Sequence, residues 1–163
     1  MVGKYGLNQS LEKELHLFLL YQKIKRQDMR RKLNCILLVD DDPDDNMFHQ
    51  IILEEMGIVN NIDIVVNGLE AIAYLKKENR TPPELIFLDI NMPKMNGWEF
   101  LEQYKHLDAK QKARVTIVIL TTSANPDDIK KAKQIQEVTG FETKPLSKEI
   151  MTELLNEHFK DYI

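Results

Sequence analysis

The stretch Leu85-Ile86-Phe87-Leu88-Asp89-Ile90-Asn91-Met92-Pro93 decides the fold. Four apolar residues in a row read as a strand buried on both faces, and the run stops at a carboxylate followed by a loop. The same design recurs upstream, where Ile36–Val39 runs into Asp40, Asp41 and Asp42. Downstream, Val115–Leu120 runs into Thr121 and Thr122, and a short strand over Gly140–Thr143 runs into Lys144-Pro145. A further strand is expected over Ile62–Val66.

Amphipathic stretches lie between these runs. Asp44–Met56 reads as a helix with Phe48, Ile51, Ile52 and Met56 on one face, stopped by Gly57. Asn67-Gly68 turns the chain into a helix over Leu69–Lys77, and Pro82-Pro83 forces a loop. Gly97 precedes a helix over Trp98–His106. Asn125-Pro126 supplies a cap and first-turn proline for a helix to about Gln136, and Ser147 caps a last helix reaching Phe159. Five β-α units with continuous apolar strands predict a parallel sheet covered on both faces, with right-handed crossovers making it doubly wound. In that architecture functional groups gather outside the carboxyl ends of the strands.

The 163 residues suit one ordinary domain. Eight basic and three acidic side chains give residues 1–33 a net charge of +5, so the overall −4 leaves −9 on the remainder. An acidic body repels phosphate backbones and argues against nucleic-acid binding. No apolar run is long enough for a bilayer, so no membrane insertion is expected. The single cysteine, Cys35, forms no internal disulfide, fits a reducing, cytoplasmic setting, and reads as a small buried hydrophobe. Residues 1–32 stand apart from the alternation as a basic extension. Leu11, Leu15, Phe18 and Leu19 suggest an amphipathic helix there, with Ser10 as cap, and Met29 offers an alternative start. The main domain is expected over 33–163.

Folding such a sheet brings Asp40, Asp41, Asp42, Asp89, Thr121, Thr122 and Lys144 to one cleft. Crowded carboxylates repel and need a cation. Oxygen-only donors suit Mg²⁺, whereas Zn²⁺ would want histidine or cysteine. A carboxylate beside such a metal can act as a nucleophile toward phosphorus, with Lys144 as a second cation and the Thr121 hydroxyl as a hydrogen-bond donor.

Val39-Asp40-Asp41, the run from Leu88 to Gly97, Leu120-Thr121-Thr122 and Lys144-Pro145 together resemble the receiver domain of two-component response regulators, over roughly residues 33–160. The resemblance implies a flavodoxin-like sheet of strand order 2-1-3-4-5 and a stand-alone receiver like the chemotaxis regulators. It implies that Asp89 accepts a phosphoryl group from a histidine kinase or histidine phosphotransfer protein. It makes Asp41 a direct Mg²⁺ ligand, Asp40 a ligand acting mainly through water, and Asn91 a ligand through its backbone carbonyl. Lys144 would pair with Asp89 and then with the phosphoryl group, ahead of a cis bond to Pro145. Thr121 and Phe141 would form the conformational switch. Pro93, Gly97 and Pro145 would be structural. Phe141 replaces a common tyrosine, Thr122 is bulkier than usual, and Asn91 and Ser123 stand where phosphoryl lifetime is tuned. Met47 and Gln50 would face a docking phosphotransfer partner. The sequence ends with its last helix, so signalling through a separate downstream protein is expected, with no enzymatic output beyond self-phosphorylation and self-dephosphorylation.

Competing readings fare worse. Asp42, Asp44 and Asp45 fit a first helical turn and its dipole without a ligand role. A calcium loop starting at Asp40 fails, because Asp45 and Ile51 occupy the glycine and glutamate positions. An aspartyl phosphohydrolase would use Asp40-x-Asp42 but leave Asp89 and Lys144-Pro145 unexplained. A phosphorylation-independent adaptor would not need the full set of acids and lysine. His16, His49, His106 and His158 have no partner spacing and read as surface or boundary residues. Trp98 is expected partly exposed, with Phe100 and Tyr104 in the core.

Overall fold

The computed structural model describes residues 9–28, 31–112, 116–122 and 125–160. Val115, Ser123 and Met29, singled out above, lie outside them. The chain divides into two units, Met1–Arg31 and Lys32–Ile163. The first contains α1 (Gln9–Asp28). This helix includes Ser10 rather than being capped by it. Leu17 and Leu20 are exposed along with Leu11, Leu15, Phe18, Leu19 and Tyr21, so the apolar residues do not form the single stripe expected. No described helix is long and apolar enough to cross a membrane.

In the second unit the elements are β1 (Leu33–Val39), α2 (Pro43–Met56), β2 (Val59–Val65), α3 (Gly68–Lys76), β3 (Leu85–Asp89) and α4 (Gly97–Tyr104). They continue with α5 (Ala109–Lys112), β4 (Thr116–Thr121), α6 (Pro126–Ala132), β5 (Val138–Thr143) and α7 (Lys148–His158). All pairings are parallel, in the order β2-β1-β3-β4-β5. The doubly wound, flavodoxin-like sheet predicted above is therefore the fold.

Alternation along the strands divides the core between the two faces. On one side, Leu37, Val39, Ile86, Leu88, Ile117 and Ile119 pack with Phe100, Leu101 and Tyr104. On the other, Ile36, Leu38, Phe87, Val118 and Leu120 pack with Leu53, Met151 and Leu155. Polar caps place the helix starts. Asn67 accepts from the Glu70 N–H, Asn96 forms a reciprocal capping box with Glu99, and Ser147 accepts from the Ile150 N–H. Gly57 ends α2 with φ of 63°, the left-handed conformation that glycine adopts without cost.

Two local readings need correction. The buried face of α2 is Asn46, His49 and Leu53, not Phe48 and Ile51, which are exposed. His49 is thus a core residue, not a surface one, and burial lowers its pKa. The helix is turned this way because the Asn46 side-chain amide donates to the Asp40 carbonyl at 2.8 Å. Also, α6 ends at Ala132, one turn short of Gln136.

Candidate functional site

β1 delivers Asp40 and Asp41 by continuing one residue past its last pair, with the Asp40 N–H donating to the Val65 carbonyl at 3.0 Å. Asp40 is buried and Asp41 exposed. Asp42 turns away to cap α2, its Oδ1 accepting from the N–H groups of Asp44 at 2.9 Å and Asp45 at 3.3 Å. That use weakens the alternative in which Asp40-x-Asp42 forms a hydrolase pair. The Asp42 N–H in turn donates to Asp40 Oδ1 at 3.1 Å, holding that carboxylate in place.

β3 delivers Asp89, a buried carboxylate with 6% of its surface exposed. Its Oδ2 accepts from the Asn91 N–H at 3.0 Å. The loop behind it is pinned by two close backbone approaches. The Gly97 N–H donates to the Ile90 carbonyl at 2.9 Å, and a Cβ on Gly97 would lie 2.5 Å from the Asp89 carbonyl oxygen. The Gly68 N–H donates to the Met95 carbonyl at 3.0 Å. Any side chain at 97 would push the Asp89 backbone out of position, which is why glycine stands there.

β4 and β5 end side by side, with Thr121 paired to Thr143 and the Lys144 N–H donating to the Thr121 carbonyl at 2.9 Å. The Lys144–Pro145 peptide bond is cis. From this point the lysine side chain reaches three carboxylates. Its Nζ lies 2.7 Å from Asp40 Oδ2, 2.9 Å from Asp45 Oδ2 and 3.4 Å from Asp89 Oδ1.

These groups line an open cleft of about 320 Å³, with Asn91 and Thr122 on its rim and Asp41 and Asp42 beside Asp40. Five aspartates and one lysine line it. Burial pushes the Asp89 pKa above the usual carboxylate value and the Asp40 charge adds to this, while Lys144 and the Asn91 N–H oppose it. Burial alone would lower the lysine, but its hydrogen bonds to Asp40 and Asp45 outweigh that and raise it, so Lys144 is a fixed cation.

Asp40, Asp41 and Asp89 each present a carboxylate oxygen, all within 4.8 Å of one another. The donors are oxygens only, and the surplus of negative charge over Lys144 is large. That chemistry fits a hard divalent cation.

The structure therefore brings Asp40, Asp41, Asp89, Asn91, Thr122 and Lys144 together. Thr121 is buried at the end of β4 and does not line the cleft, while Phe141 is half-buried beside Ile119 and packs on the core. Trp98 is half-buried, with the Lys131 ammonium 4.3 Å from its ring centre. The residue that sequence reasoning missed is Asp45, set aside as a first-turn acid. A signal existed: Asp45 stands four residues before His49 and eight before Leu53, in line with the stripe that α2 buries.

Comparison with known proteins bears on this site. The model of the response regulator receiver domain matches residues 36–156. The response regulator Rcp1 of Synechocystis is 40% identical over 99 residues, which cover 58% of this chain and 65% of Rcp1, just under two thirds of its length. A two-component response regulator structure from Cytophaga hutchinsonii superposes with a TM-score of 0.73 at 32% identity, covering 80% of this chain and 99% of that one. The Mn²⁺-bound form of Rcp1 gives a TM-score of 0.62 at 32% identity, covering 78% and 94%.

Proposed function

The chain belongs to the response regulator receiver family, and from that premise we propose that it is a single-domain phosphorelay receiver, occupying residues 33–163, with Asp89 as its phosphoryl acceptor. The observation that carries this is the placement of Asp89. It is a buried carboxylate at a strand end, 3.4 Å from a fixed cation and within 4.8 Å of two further aspartate oxygens.

An Asp89 oxygen attacks the phosphorus of a phosphohistidine on a histidine kinase or phosphotransfer protein, or of a small phosphoramidate. The P–N bond breaks, its electron pair stays on nitrogen, and that nitrogen takes a proton from solvent. The product is an acyl phosphate on Asp89. Lys144 neutralises the phosphoryl oxygens as charge moves onto them. Hydrolysis reverses the modification. Water attacks phosphorus, the bond to Asp89 breaks, the carboxylate is restored and inorganic phosphate leaves. No further enzymatic activity belongs to this reading.

Mg²⁺ is the cofactor of this reading, held by Asp40, Asp41, Asp89 and the Asn91 carbonyl, and when bound it supplies additional positive charge to the phosphoryl oxygens. That the related Rcp1 has a Mn²⁺-bound form supports a divalent cation in this reading. Thr121 and Phe141 act as the switch pair, with the threonine hydroxyl drawn toward the phosphoryl group and the aromatic ring following inward, so that modification shifts a two-state equilibrium. Output passes to a downstream protein in the cytoplasm. Met47, Phe48 and Ile51 line the exposed side of α2, beside the cleft, and suit a protein partner.

The test is intact-mass measurement after incubation with Mg²⁺ and phosphoramidate. Wild type should gain one phosphoryl group and Asp89→Asn none. A wild-type chain that gains nothing, or an Asp89→Asn chain that gains as much, refutes the reading.

A further inference from the structure

An ammonium has three N–H donors, and all three on Lys144 face carboxylates. The contacts are unequal: 2.7 Å to Asp40, 2.9 Å to Asp45 and 3.4 Å to Asp89. The two short ones come from the β1–α2 side of the cleft. The long one goes to the residue assigned above as phosphoryl acceptor. The Lys144 and Asp40 side chains are almost fully buried, and that of Asp45 is 29% exposed, so solvent screens these pairs only partly.

We propose that Asp45 is a positioning residue for phosphoryl transfer: its carboxylate holds the Lys144 ammonium toward α2 and away from Asp89. This rests on Asp89 being the acceptor. Asp40 is fixed by the Asp42 N–H, whereas Asp45 sits in the first turn of α2 with its carboxylate 2.9 Å from the lysine ammonium. An ammonium shared with Asp45 is less available to phosphoryl oxygens arriving at Asp89. Asp45 thus acts as a brake on phosphoryl uptake. The plain alternative is that Asp45 serves only the helix dipole. Asp44 provides the control, because it occupies the same first turn and is exposed.

The experiment compares wild type, Asp45→Asn, Asp45→Glu and Asp44→Asn. The first readout uses metal-free protein and follows the Lys144 ammonium by ¹H–¹⁵N spectroscopy. Its signal should shift in Asp45→Asn and stay in place in Asp44→Asn. The second readout is the rate of phosphoryl uptake from phosphoramidate at saturating Mg²⁺. Asp45→Asn should be faster by about three- to tenfold, the size of one partly screened ion pair, and Asp45→Glu should return toward wild type. Asp44→Asn should match wild type in both. An Asp45→Asn rate equal to or below wild type overturns the proposal, even if the ammonium signal moves. If wild type takes up no phosphoryl group, or Asp89→Asn takes up as much, the acceptor reading itself fails and this proposal falls with it.

Discussion

At the carboxyl ends of β1 and β3, five aspartates and one lysine line an open cleft, three of the aspartates in contact with the lysine. At the amino ends of the same sheet, Arg80 spreads its guanidinium over backbone carbonyls instead. It donates to Leu75 O at 3.0 and 3.2 Å and to Gln111 O at 2.9 Å, near the last turns of α3 and α5, and stacks 5.4 Å from the centre of the Tyr74 ring. Close by, the Tyr74 hydroxyl donates to Asp63 at 2.7 Å and the Cys35 Sγ lies 3.4 Å from the same oxygen. Burial lifts the Cys35 thiol to about 11, so it stays protonated and inert. At the arginine end the guanidinium is held by fixed carbonyl acceptors within the fold. The aspartate end carries surplus negative charge that a bound cation or a proton relieves. Functional capacity is stored in the second kind of arrangement, at a cost in stability, while the first kind holds the fold together.

The largest effect should come from removing Lys144 from the charged end. Lys144→Met takes away the donor that faces Asp40, Asp45 and Asp89. Phosphoryl uptake from phosphoramidate should fall by about a hundredfold, the usual consequence of losing one charge-stabilising donor. A fall of less than about tenfold would mean that the lysine is part of the scaffold, and the two ends would then differ less than argued.

The opposite end supplies the reciprocal test. Arg80→Ala leaves the carbonyls of Leu75 and Gln111 without this donor and removes the stack on Tyr74. Unfolding in urea should show a loss of about 2 kcal/mol, with the uptake rate per folded molecule unchanged. A slowed uptake at full folding would show that the two ends are coupled through the sheet.

The charged end was far more legible in the sequence than the arginine clamp. Asp40, Asp41 and Asp89 stand at the ends of apolar strands and Lys144 at the end of a short strand, and a parallel sheet leaves such residues only one place to meet. Arg80 lies in a loop, and its partners are backbone atoms, which have no side-chain signature. The α2 face was misjudged for a related reason. Apolar periodicity favoured Phe48 and Ile51, but the Asn46 amide's bond to the Asp40 carbonyl and the ion pair of Asp45 with Lys144 turned the helix by polar contacts. The four-residue α5 is too short to show a period at all. Strand starts were missed at Leu33 and Val59, which pair with each other at the entry to the sheet, beyond the strongest apolar runs.

The smallest effect tests whether surplus charge really costs stability. Burial raises the Asp89 pKa above its value in the unfolded chain. Between those two values the folded protein binds the extra proton, so stability falls as pH rises through that window. Above the raised pKa the full penalty of a buried carboxylate is present; below the ordinary carboxylate pKa it is gone. In chelator at neutral pH, Asp89→Asn should therefore be more stable than wild type by on the order of 1 kcal/mol. The gain should shrink as pH is lowered and vanish below about pH 4. Urea unfolding of both proteins at several pH values measures this. If Asp89→Asn is less stable at neutral pH, the contact with Lys144 outweighs burial. The aspartate end would then be compensated like the arginine end, and its need for a ligand would have to come from Asp40 and Asp41 alone.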